Sequence, residues 1–90
     1  MEILMNQTLT LNQIHPGERA IVCALSATGS MRRRFLDIGL IQDTEVECVG
    51  RSPGGNPSAY LIRGAVIAIR HEDGAKIQVT PKEAQNGTEQ

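Results

Sequence analysis

Ninety residues leave room for one hydrophobic core and not for two, so the chain reads as a single small domain. An apolar content of 40% beside 21% charged residues belongs to a folded protein and excludes a disordered one. The net charge of −1 gives no global field for nucleic acid, and Phe35 and Tyr60 are too few aromatics to stack bases or line a proline groove.

Met1-Glu2-Ile3-Leu4-Met5 has neither a basic start nor a continuous apolar run, and so does not read as a signal peptide. The longest apolar runs, near 20–27 and 65–69, are far too short to span a bilayer. A cytoplasmic chain without direct membrane insertion is the expectation, with Cys23 and Cys48 as reduced core thiols. Residues 10–14 predict a helical turn, which His15-Pro16-Gly17 ends before launching a strand over 18–25. Both faces of that strand are apolar, which leaves its buried side open and leaves room for a homodimer or a partner strand.

Met31, Phe35 and Ile38 recur at i, i+4 and i+7, predicting a short amphipathic helix. Ser30 is the expected N-cap and Gly39 the expected residue just past its end. Arg32, Arg33 and Arg34 cannot share one face, because successive residues are about 100° apart around the axis. Each arginine has a plain alternative role: Arg33 is spaced to pair with Asp37, and arginine stems cover apolar surface while their heads stay wet.

Over 44–51 the alternation is clear, with Thr44, Val46 and Cys48 on one face and Glu45 and Glu47 on the other. Ser52-Pro53-Gly54-Gly55-Asn56-Pro57 is a loop on composition. Two apolar runs follow, 59–62 and 65–70, joined by Arg63-Gly64 with the spacing of a tight hairpin. His71-Glu72-Asp73-Gly74-Ala75 predicts a polar turn or one turn of helix, and 77–80 a last strand. The expected architecture is mainly β: a partly open barrel of about five short strands with one short helix. The domain spans 1–81, and 82–90 reads as a polar, disordered tail.

Catalytic signatures are missing: there is no Gly-x-Ser-x-Gly elbow, and Gly54-Gly55 opens no helix that would cradle a phosphate. The expectation is a protein that is not an enzyme and requires no cofactor. His71, Glu72 and Asp73 are the candidate metal ligands, for a weak Fe²⁺ or Zn²⁺ site. A closed structural site would want four donors in a recognisable spacing, and a solvated polar turn is the commoner outcome.

In order along the chain, His15-Pro16-Gly17-Glu18, Arg33-Arg34-Phe35-Leu36-Asp37-Ile38-Gly39-Leu40 and the strand from Thr44 make a recognisable series. Gly55-Asn56-Pro57, Arg63-Gly64, Ile67-Ala68-Ile69-Arg70 and Ile77-Gln78-Val79 extend it. The series resembles the FeoA family of bacterial ferrous iron uptake systems over about residues 9–80. Gln42-Asp43 departs from that family's usual Pro-Gly turn, and Asn56 from its usual Asp; both are turn-competent changes.

The resemblance implies an SH3-like barrel and a working partner, the FeoB membrane transporter with its cytosolic GTP-binding domain. It implies an accessory or regulatory role in Fe²⁺ uptake through protein contacts, with recruitment to the inner face of the membrane through that partner. The expected contact surface is Arg32, Arg33 and Arg34 with the loop Pro53, Gly54, Gly55, Asn56 and Pro57. The similar domain at the C-terminus of iron-dependent repressors implies an alternative, a metal-sensing regulatory domain.

Overall fold

The computed structural model describes residues 8–82. Six antiparallel strands form one sheet in the order β1-β6-β2-β3-β4-β5: β1 Leu9–Thr10, β2 Arg19–Leu25, β3 Glu45–Arg51, β4 Ser58–Ile62, β5 Ala65–Ile69 and β6 Ile77–Pro81. A nine-residue helix, α1 (Gly29–Asp37), connects β2 to β3, and a single turn, α2 (His71–Gly74), connects β5 to β6. The expectations for 1–5 and for the tail 83–90 lie outside the described residues.

The strand beyond the expected five is β1, whose two residues pair Leu9 with Val79 and Thr10 with Gln78. Two residues are too short to show a period of two, which is why the pattern misses it. A 3-10 turn, Leu11–Gln13, follows β1 where a helical turn was expected, and the Thr10 N–H donates to Gln13 Oε1 at 2.8 Å.

A bulge between Val22 and Ala24 explains the two apolar faces of β2. Ala20 and Val22 point into the core ahead of it. After it the inward parity switches, so that Leu25 lies opposite the fully buried Ile77 and Ala24 is exposed. Cys23 sits at the bulge, half-buried, with its Sγ 2.8 Å from Thr80 Oγ1. Strand β3 follows its expected alternation, with Val46 and Cys48 buried, until a second bulge between Cys48 and Gly50 turns Val49 outward. Both cysteines are free thiols.

Helix α1 packs the expected face: Phe35 is buried, and Met31 and Ile38 pack partly buried against the core. Its start differs from expectation. Thr28 holds the N-cap position, and Gly29, at φ +62°, turns the chain into the helix one residue ahead of Ser30. Its end is a Schellman motif, with the Gly39 N–H donating to Leu36 O and the Leu40 N–H to Phe35 O, each at 3.0 Å. Gly39 has φ +102°, and a Cβ there would lie 2.5 Å from Arg63 Cδ. Glycine therefore lets the helix end press against the β4–β5 turn.

Arg63 and Gly64 take φ +50° and +87°, closing β4 to β5 as a two-residue hairpin with Ile62 opposite Ala65. Asp43, where the FeoA pattern usually has glycine, adopts φ +73°, a conformation that Asp tolerates. The sheet then curls back on itself without closing. Tyr60 Oη on β4 donates to Leu11 O at 3.3 Å, and Arg51 Nη2 donates to Ile14 O at 2.9 Å. These bonds bring the β3–β4 wall over the N-terminal turn and enclose a core of aliphatic side chains around Phe35 and Tyr60.

Candidate functional site

A groove of about 360 Å³ runs between α1 and β5. Phe35 and Ile38 from the helix form one wall, and Ile67, Ala68 and Ile69 from the strand form the other. Pro57, Arg34, Arg70 and Asp73 complete its lining. Local sequence makes this geometry. The Schellman turn at Gly39 fixes the helix end, while the hairpin at Arg63-Gly64 fixes the strand opposite it. Two guanidinium groups and one carboxylate share an otherwise apolar cleft, so its local charge is positive although the chain's is not.

The expected contact residues divide between two places. Arg34 and Pro57, one from the helix and one from the loop, meet in this groove. Arg32 and Arg33 do not reach it; they flank a separate recess with Gly29, Leu36 and Asp37. Arg32 also borders β2 near Cys23 and Leu40. The rotation of about 100° per residue is the cause. The Arg33–Asp37 ion pair that the spacing allowed is not formed, leaving both side chains exposed.

The loop is held as a unit. The Gly55 N–H donates to Ser52 O at 2.7 Å, and the Ser52 N–H donates to Pro57 O at 3.0 Å. Asn56 Oδ1 accepts the His71 N–H at 3.1 Å, tying the loop to the first residue of α2. Asn56 thus has a structural task, while Pro53 and Gly54 remain exposed at the tip.

Among the candidate metal ligands, Asp73 lines the groove, His71 is half-buried and Glu72 is exposed. Among the described residues no three or more His, Cys, Asp or Glu side chains are grouped to hold an ion. That arrangement among the described residues does not make the four-donor grouping of a closed structural metal site.

Charge is concentrated elsewhere, at the end of the sheet where β2, β3 and β6 meet. Glu45 accepts from Lys82 Nζ at 2.8 Å and lies 3.4 Å from Arg19 Nη1. The Lys82 hydrogen bond holds the Glu45 carboxyl below its ordinary range. Glu18 is lowered likewise, chiefly by the His15 backbone N–H, which donates to its Oε1 at 2.7 Å. Burial pushes the Tyr60 phenol up.

The sequence pattern missed the β5 wall of the groove. It marks 65–70 as an apolar strand, but strand order is a property of the whole sheet. The available signal is five consecutive residues, Ala65 to Ile69, without a charge or a proline.

The FeoA domain family model matches residues 9–81. A curated Fe(2+) transport protein A/Fe(2+) transporter FeoB fusion protein from Porphyromonas gingivalis is 30% identical over 71 residues, covering 79% of this chain. The chain spans 8% of that relative's length. Among solved structures, the FeoA protein from Chlorobium tepidum aligns with a TM-score of 0.79 at 25% identity, covering 88% of this chain and 75% of that one. Stenotrophomonas maltophilia FeoA complexed with zinc, described as an SH3 domain protein, gives 0.71 at 24% identity, covering 79% and 88%. A manganese-dependent transcriptional repressor shares the fold, at 0.76 with 20% identity, covering 90% of this chain and 45% of that one. The fold is thus SH3-like, mainly β and not closed.

Proposed function

From the premise that the chain belongs to the FeoA domain family, a family of Fe²⁺ transport, we propose that it is a cytosolic accessory factor of a FeoB-type transporter. It acts by contact with the transporter's cytosolic GTP-binding region and carries no catalysis of its own. The observation that carries this reading is the fusion relative, in which a domain like this one is part of the same chain as the transporter. Covalent linkage raises the effective concentration of two parts that work together. Among the described residues no helix is long and apolar enough to cross a membrane; the partner supplies the membrane location in this reading.

The contact surface is the α1–β5 groove with the neighbouring loop, because there an apolar cleft and two cations coincide. Arg34→Glu tests the assignment, with the Arg32→Glu/Arg33→Glu double variant, outside the groove, as the comparison and circular dichroism as a check that the fold persists. At least a tenfold loss of affinity for the transporter's cytosolic region is expected, and unchanged affinity would overturn the site.

The metal-sensing reading rests on shared fold alone, since the repressor is 20% identical. It requires saturable Fe²⁺ or Zn²⁺ binding in calorimetry that His71→Ala and Glu72→Ala weaken. The present reading expects none.

A further inference from the structure

Strand β5 is the last strand of the sheet, and among the described residues its outer side has no hydrogen-bonded neighbour. Exposed edges in monomeric proteins are commonly blunted by charge, proline or shortness. Ala65 to Ile69 has none of these protections, and Val66 is 65% exposed. Ile62 and Ala65 flank the two-residue turn and form a hydrogen-bonded pair. Antiparallel alternation then directs the N–H and C=O groups of Val66 and Ala68 to the open side. Meanwhile Ile67 and Ile69 line the groove opposite Phe35. A segment laid beside β5 would meet free backbone partners and, at every second residue, an apolar cleft.

Charge selects the occupant. Arg34 and Arg70 lie in the groove, opposed there by Asp73 alone, and Arg63 stands at the hairpin end. A second copy is disfavoured. Antiparallel pairing of two β5 strands about Ile67 would set Arg70 of each opposite Gly64 of the other, one position from its Arg63, gathering like charges at both ends. We propose that β5 takes up an extended segment of a partner protein, apolar at alternate positions and flanked by Asp or Glu, as a seventh strand. This rests on the reading of the chain as a transporter-contact domain and gives that contact its chemistry.

The full chain, labelled with ¹⁵N, is titrated with a ten-residue peptide of alternating Val and Thr flanked by Glu. The same peptide with Lys flanks, and one with a central proline, serve as comparisons. The Glu peptide is expected to slow amide exchange at Val66 and Ala68 at least tenfold. The Lys peptide should bind at least tenfold more weakly, and the proline peptide should give no protection. Val66→Pro, which removes an outward N–H and leaves the bonds to β4 intact, should cut affinity for the Glu peptide tenfold. Equal binding of Glu and Lys peptides, protection confined to other elements, or a dimer that Val66→Pro dissociates would each overturn the proposal. In parallel, Val66→Pro is measured against the transporter's cytosolic region. Undiminished binding there sinks strand addition but leaves the accessory reading standing, whereas no binding by the wild-type chain sinks the accessory reading itself.

Discussion

At the end of the sheet where β2, β3 and β6 meet, Glu45 is held between Arg19 and Lys82, while Cys48 accepts from the Gly17 N–H and donates its own N–H to Glu18 O. The β5 margin is made of Ala, Val and Ile, carries no ion pair, and faces a cleft. Among the described residues, one sheet therefore has a corner fastened by charge and polar bonds and a margin left apolar and unpaired. The difference teaches where to look for a partner. Apolar backbone edge is a liability in a free domain, and its persistence beside a basic cleft has a reason if another chain covers it.

The largest way to break this contrast is Phe35→Ala. The side chain is 2% exposed and joins α1 to the β5 wall, so its loss should cost about 3–5 kcal/mol. Urea denaturation would show a lowered midpoint, and a loss below about 1 kcal/mol, within the range of ordinary surface and near-neutral changes, would mean that α1 does not hold the groove. Tyr60→Phe keeps the ring and removes the bond to Leu11 O. About 0.5–1.5 kcal/mol should go, since that bond helps to curl the β4 side over the N-terminal turn. An unchanged midpoint would show that packing alone closes the barrel.

A smaller effect sharpens the contrast from the charged side. The Glu45 and Glu18 carboxyls are held below the ordinary value of 4.5, so they contribute stability above that pH and lose it as the pH falls through their lowered values. Both are exposed, and solvent screening keeps the contribution small. Between pH 6 and pH 3 the wild-type midpoint should fall, and Glu45→Gln should fall less steeply. Parallel slopes would remove Glu45 from the account.

Much of this fold was legible in the chain. The face of α1 from Met31 to Ile38, its stop at Gly39, the alternation of β3 and the Arg63-Gly64 hairpin all follow from spacing and turn chemistry. Each is decided by residues within a few positions of one another. What stayed illegible depends on distant partners. The bulge at Cys23 lies in the pairing of β2 with β6, and the two apolar faces of 18–25 signal an ambiguity there without locating it. The N-cap was misplaced for a subtler reason, since Gly29 enters the helix through a positive φ. The candidate site was half legible: Arg34 and Pro57 were marked, but Arg32 and Arg33 face another recess, and β5 supplies a wall that no motif marks.

The most direct test of the central claim is an amide-shift titration of the ¹⁵N-labelled chain with the cytosolic region of a FeoB-type transporter. The account predicts saturable shifts concentrated at Arg34, Phe35 and 66–70, and their loss in Arg34→Glu. Saturable shifts confined to the Glu45, Arg19 and Lys82 corner, or no binding at all, would contradict it.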